Sequence, residues 1–205
     1  MKFPIGSGFL ILGGIGFPRP SQNPPEHGAT RLSTYMDIHR RIMSQYLMDG
    51  HFVVEDTITD VEPASEEEYG TAGFLLQGQI GCRGRIVIAV RKFLEILELL
   101  EDGDVMIETR FYRYNVRVQG MGRRRGNIFR YDNVHPGLYP GHHDPHHVHW
   151  FDFRTGDQLA GSPEWVGAYG WPRLSVVVNR ARDWYLDHRD ELPDPDGLPK
   201  LGTLY

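Results

Sequence analysis

Six of the ten histidines fall between His135 and His149, inside the stretch FRYDNVHPGLYPGHHDPHHVHWFDF that runs from Phe129 to Phe153. Imidazole titrates near neutrality and is also a common metal ligand, so a cluster this dense points to proton transfer, metal binding or both. Cleaving RNA without a metal takes a base for the 2′-hydroxyl proton, an acid for the leaving oxygen and cations for the charge developing at phosphorus. His143, His146, His147 and His149 are the candidates for the first two tasks, Arg130 or Arg125 for the third, and Asp132 can orient a histidine. Tyr131 and Tyr139 add a donor and a stacking surface for bases. The competing chemistry is a zinc-type centre. Strand alternation puts His147 and His149 on one face, and His142, His143 or Asp144 could complete a ligand set, although no HExxH or other fixed metalloenzyme spacing occurs.

Arginines stand next to these groups. Between Arg110 and Arg130 there are seven arginines and no acid, whereas residues 1–109 carry 9 basic and 16 acidic side chains. Arg113, Arg117, Arg123, Arg124 and Arg125 are therefore candidate nucleic-acid contacts, the last three at the tip of a hairpin spelled GMGRRRG. Arginine outnumbers lysine nineteen to three, which suits bidentate phosphate recognition and equally fits a biased genomic base composition.

The elements that must position these residues read as α+β. Leu32, Tyr35, Met36, His39, Ile42, Met43, Tyr46 and Leu47 recur at helical spacing and stop at Gly50, with His39 on the apolar stripe as a core histidine. From Phe52 the period changes, and five strands follow: FVVEDTITDV, TAGFLLQGQI, RIVIAVRKFLEILELL, DVMIETRFYRYNVRVQ and NIFRY. The third also fits a helical stripe through Phe93, Ile96, Leu97 and Leu100, but the β-branched residues leading into it favour a strand to about residue 98. The acidic segment VEPASEEEYG reads as a solvated turn, and HVHWFDF as a sixth strand beyond an irregular, proline-rich loop. Leu174 to His188 forms a second helix that covers one face of the sheet, and the proline-rich stretch from Pro193 reads as a mobile tail. The expectation is an antiparallel, meander-like sheet of about six strands flanked by two helices. It divides into an N-terminal extension (1–30), the α+β domain with its histidine loop (31–153) and a C-terminal aromatic segment, helix and tail (154–205).

Composition narrows the class. A net charge of −5 with 40% hydrophobic residues is ordinary for a folded domain and argues against a uniformly basic surface. The single Cys82 excludes an intrachain disulfide and a cysteine-built zinc site, which leaves the cytoplasm as the expected location. The run GFLILGGIGF is short, glycine-rich and without a small-x-small cleavage site, so it reads as a tail or edge strand rather than a leader, and no membrane association is expected.

The runs YRYNVRVQ, NIFRYDN, HPGLYPG and PHHVH resemble the TumE family, the toxin partners of bacterial toxin–antitoxin pairs, in which an RYDN-type strand end precedes a proline-rich spacer and a PHH-x-H sequence. The resemblance is strongest from Tyr112 to His149 and covers about half of the chain. It reaches Arg130, Tyr131, Asp132, Asn133, His135, Pro145, His146, His147 and His149. It implies a small cytoplasmic bacterial toxin, held off by a cognate antitoxin protein, with RNA as target. The chain departs from the pattern in its residues ahead of the first helix, in an inserted His142-His143-Asp144 and in its C-terminal arm. The leading expectation is thus a TumE-like ribonuclease or other nucleic-acid-directed enzyme, without metal or other cofactor, and compatible with a homo-oligomer. The alternatives are a zinc-type histidine-loop protein and a non-enzymatic subunit presenting its aromatic C-terminal segment to a partner.

Overall fold

The computed structural model describes residues 28–122, 124–133, 146–166 and 171–202, together with the backbone of 10–12 and 15–17. In chain order the elements are β1 (Leu10–Leu12), β2 (Ile15–Phe17), β3 (Thr30–Arg31), α1 (Leu32–Asp49), β4 (Val53–Asp56), β5 (Glu62–Ala64), α2 (Glu66–Tyr69), β6 (Gly73–Cys82), β7 (Ile86–Leu99), β8 (Val105–Val118), β9 (Asn127–Asp132), β10 (His147–Trp150), β11 (Glu164–Trp165) and α3 (Leu174–His188). β1 and β2 pair only with each other, and the rest of the strands form one antiparallel sheet in the order β11-β10-β9-β8-β7-β6-β4. β3 pairs with β8 and β5 with β6. This is the α+β architecture expected from the sequence, with short strands added at the margins.

The two faces of the sheet differ because alternate residues point to opposite sides. Ile88, Val90, Tyr112, Tyr114, Val116, Phe129, Tyr131 and Val148 join one core with Met36 and Met43 of α1 and Val177, Val178, Ala181 and Tyr185 of α3. The two helices lie together on this face, tied by the Tyr46 hydroxyl donating to Asn179 Oδ1 at 3.1 Å. α1 ends as the sequence requires: Gly50 takes φ 63° and its N–H returns to the Tyr46 carbonyl. His39 is buried with its Nε2 3.7 Å from Asp56 Oδ2, a structural histidine as read from the apolar stripe. Gly84 turns the β6–β7 hairpin at φ 70°, where an added Cβ would lie 2.7 Å from Leu192 and 3.0 Å from Tyr185.

Two local expectations give way. The acidic segment is not a plain solvated turn: Ser65 caps the single turn of α2, and Tyr69 at its end stacks on Phe93 at 4.3 Å and 7°, building a small second core with Phe111 on the other face of the sheet. The polar run ends in one aromatic residue, and that residue is what pulls it onto the sheet. The segment after Pro193 is also held: the Tyr185 hydroxyl donates to the Pro195 carbonyl, and Gln119 exchanges two hydrogen bonds of 2.8 Å with the backbone of Lys200.

The strand pair that carries the histidine cluster is anchored by one side chain. β9 pairs with β8 only as far as Asp132 opposite Arg113, so the backbone groups of Arg110 and Tyr112 that face it lie beyond the ladder. Asn133, just past β9, supplies their partners: its Nδ2 donates to the Arg110 carbonyl at 3.0 Å and its Oδ1 accepts from the Tyr112 N–H at 2.9 Å. Asn133→Ala strands both buried groups and is expected to lower stability by about 1–3 kcal/mol. Urea unfolding measures this directly, and an unchanged midpoint would show that the clip contributes nothing.

Candidate functional site

β9 and β10 pair so that His147 lies opposite Asp132 and His149 opposite Arg130. All four side chains therefore point to the face away from α1 and α3. Asp132 and His147 are each 1% exposed, the His149 ring is half-buried, and the Arg130 side chain keeps 35% of its exposure. His147 Nε2 approaches Asp132 Oδ1 to 2.8 Å, Arg130 Nε approaches Asp132 Oδ2 to 2.6 Å, and the His147 and His149 rings meet edge to face at 4.6 Å. The two contacts to Asp132 are close charge approaches, since neither its Oδ1 nor Arg130 Nε completes hydrogen-bond geometry.

Burial alone would push the Asp132 carboxyl upward, but its contact with His147 and the positive charges of His147, Arg130 and Arg113 outweigh that and hold it below its ordinary value. His149 moves down as well: burial comes first, then the charges of Arg130 and His147. At neutral pH the site thus presents an ionised, bracketed carboxylate behind a neutral imidazole whose Nδ1 is buried without a hydrogen-bond partner. That imidazole can accept a proton at its other ring nitrogen, Nε2, and Arg130 beside it can stabilise negative charge. Asp132, His147 and His149 also offer three donor atoms within 4.8 Å of one another, so two imidazoles and a carboxylate could hold a divalent ion.

The other sequence candidates scatter. His146 lies on the core face, stacked with Tyr112 at 10° and packed 4.5 Å from Trp171, with its Nδ1 3.2 Å from the Tyr112 hydroxyl. Tyr131 also turns inward, and its hydroxyl accepts from Arg180 of α3. One position of alternation separates both from His147 and Arg130. Arg113 and Arg117 do share the face of the cluster, through the pairings Arg113 with Asp132 and Asn115 with Arg130. Arg124 and Arg125 are exposed at the opposite end of β9, about 20 Å away at strand rise. His135, Tyr139, His142, His143, Asp144, Pro145 and Arg123 lie outside the described residues.

Sequence reading missed Arg91, which the sheet sets directly opposite Arg113. It sat in an apolar run, and only the register reveals its neighbour. Cys82 is no nucleophile: it is fully buried, and burial pushes its thiol far up. The groove of ≈ 460 Å³ lined by Trp150, Arg180 and Trp184 opens along α3, away from the face that carries His149.

Comparison of the chain with protein-family models, curated proteins and solved structures gives no match. The resemblance to TumE toxins therefore rests on the motif residues themselves. Among the described residues no helix is long and apolar enough to cross a membrane.

The depressed Asp132 fixes the sign of a pH effect. A carboxyl whose folded value lies below its unfolded value of about 3.9 contributes stability that is complete above that value and lost as pH falls through the folded one. Asp132→Asn leaves Arg130 and His147 beside a neutral amide, and is expected to cost about 3–5 kcal/mol at pH 7. The gap from the parent protein should narrow below pH 4, by urea unfolding across pH 3–7. An equal penalty at both ends would contradict the ionised, bracketed carboxylate.

Proposed function

We propose that this chain is a nucleic-acid-directed enzyme that breaks RNA phosphodiester bonds by metal-independent proton transfer. The observation that carries the reading is the gathering of Arg130, Asp132, His147 and His149 on one face of two paired strands, with Arg113 and Arg117 beside them. In this reaction neutral His149 takes the 2′-hydroxyl proton and Arg130 meets the charge that develops on the phosphoryl oxygens. His147 and Asp132 are too deeply buried to meet the substrate, so they act as positioning residues. They hold the His149 ring and keep a compensated charge beneath it. For the leaving oxygen the sequence offers His143 as the acid.

The second reading, a zinc-type centre at Asp132, His147 and His149, is favoured by the convergence of three donor atoms. Against it stands Arg130, 2.6 Å from the other oxygen of the same carboxylate, with Arg113 in the neighbouring pair position. A dication would enter beside one guanidinium in contact with the carboxylate and a second in the neighbouring pair position, whereas a phosphate meets attraction from both. The resemblance to TumE toxins adds a cellular role to the first reading: a cytoplasmic toxin neutralised by a cognate antitoxin.

Three measurements test this. His149→Ala is expected to lower the RNA cleavage rate constant 10²–10⁴-fold with a folded, stable protein, and Arg130→Ala to lower kcat more than it raises KM. Full activity in both variants would remove the assignment. Elemental analysis of the purified protein should find no stoichiometric transition metal, and stoichiometric zinc, with chelator-induced loss of thermal stability, would favour the second reading. Induced expression in bacteria should arrest growth, and His149→Ala should relieve the arrest. Unimpaired growth at verified soluble expression counts against a toxin.

A further inference from the structure

The pairings across the sheet align one continuous row of side chains on the face that carries the cluster: Gln77, Arg91, Arg113, Asp132, His147 and Trp165, one from each strand from β6 to β11. Arg91 and Arg113 are direct cross-strand neighbours, and like charges so placed repel. Arg91 is nevertheless held in place: its Nη2 lies 3.0 Å from Glu68 Oε1 and donates to the Tyr69 hydroxyl at 2.7 Å. α2 thus does more than pack on Phe93. It aims a guanidinium whose side chain remains 43% exposed, next to an exposed Arg113.

The strip these residues occupy is narrow. On one side Phe93 and Phe111 are buried beneath Tyr69. On the other the C-terminal segment closes over the face, with Pro199 and Leu201 against Gly81 and the Gly202 N–H donating to Gln79 Oε1 at 3.2 Å. Between these borders two same-face rows are open on β7, through Arg91 and Ala89, and at two residues per row they span about 13 Å, which suits one sugar-phosphate backbone lying across the strands better than the two of a duplex.

Resting on the RNA-cleavage reading above, we infer that the substrate is single-stranded and crosses β7 and β8 over Arg91 and Arg113, a remote phosphate subsite from which it passes to Arg130 and His149 in the adjacent row, the Asp132 and His147 positions being buried. Arg91 on β7 and His149 on β10 are three strand spacings apart, about 14 Å, so the subsite engages phosphates beyond the one that reacts. Such contacts act through the backbone and carry no base preference.

The experiment is single-turnover cleavage by the full chain of oligouridylates from two to twelve nucleotides, and of a blunt RNA duplex of matched length. Cleavage efficiency should rise with length until the backbone spans the subsite, then level off, and the duplex should react at least tenfold more slowly. Arg91→Ala should lower the efficiency on the longest oligomer about tenfold and on the dinucleotide far less, flattening the length dependence. Arg91→Lys, which keeps the charge, should restore most of it. Length-independent cleavage, a duplex cleaved as well as the single strand, or an Arg91→Ala loss equal at all lengths overturns the subsite while leaving the cleavage reading intact. If neither dinucleotide nor long RNA is cleaved, the cleavage reading fails and the subsite with it.

Discussion

A carboxylate that is 1% exposed cannot remain ionised unless its charge is met, and the arrangement around Asp132 follows from that requirement. Arg130 two residues earlier on β9 and His147 directly across on β10 meet its two oxygens. These contacts exist only in the observed β9–β10 register. A slip by one residue would turn Asp132 toward Tyr112 and Trp171 and expose Tyr131 and Val148, so hydrophobic and ionic terms select the same pairing. With that register set, His149 has no choice of place. It stands beside Arg130, half-buried, and burial first, then the positive charges that also favour the ionised Asp132, lower the pKa of its ring.

The two faces of the sheet divide the polar residues into those that hold the fold and those available for chemistry. On the helix-covered face even charged groups are absorbed. Lys92 is buried, donates to the Tyr35 hydroxyl at 2.9 Å and lies over the Tyr35 and Tyr114 rings; burial opposes its charge, and the two phenols outweigh it. Arg180 is likewise stacked over Tyr131 and Trp150. On the other face the guanidinium groups of Arg113 and Arg130 reach solvent, and the strip between α2 and the C-terminal segment remains open to a ligand. An overall charge of −5 therefore conceals a local cationic field, because the acids concentrate in the first half of the sequence and the arginines on β8 and β9.

How far the sequence alone reached can be argued residue by residue. The apolar periods of 3.6 and 2 placed α1, α3 and the six main strands, since burial of a stripe or a face is a local property of the pattern. The alternation in HVHW placed His147 and His149 together, and the RYDN resemblance drew attention to four residues that the structure uses in three different ways: Arg130 and Asp132 in the cluster, Tyr131 in the core, Asn133 as the clip on β8 past the end of β9. What the pattern could not supply was which strand lies beside which, and in what register. That pairing is a long-range property, and it alone made Arg91 a neighbour of Arg113, sent His146 and Tyr131 inward, set Arg124 and Arg125 at the distant end of β9, and folded α2 and the C-terminal segment into the borders of the site. The residue types and the periods of their repetition determined the chemistry available to this protein; only the pairing of distant strands decided which of those residues meet.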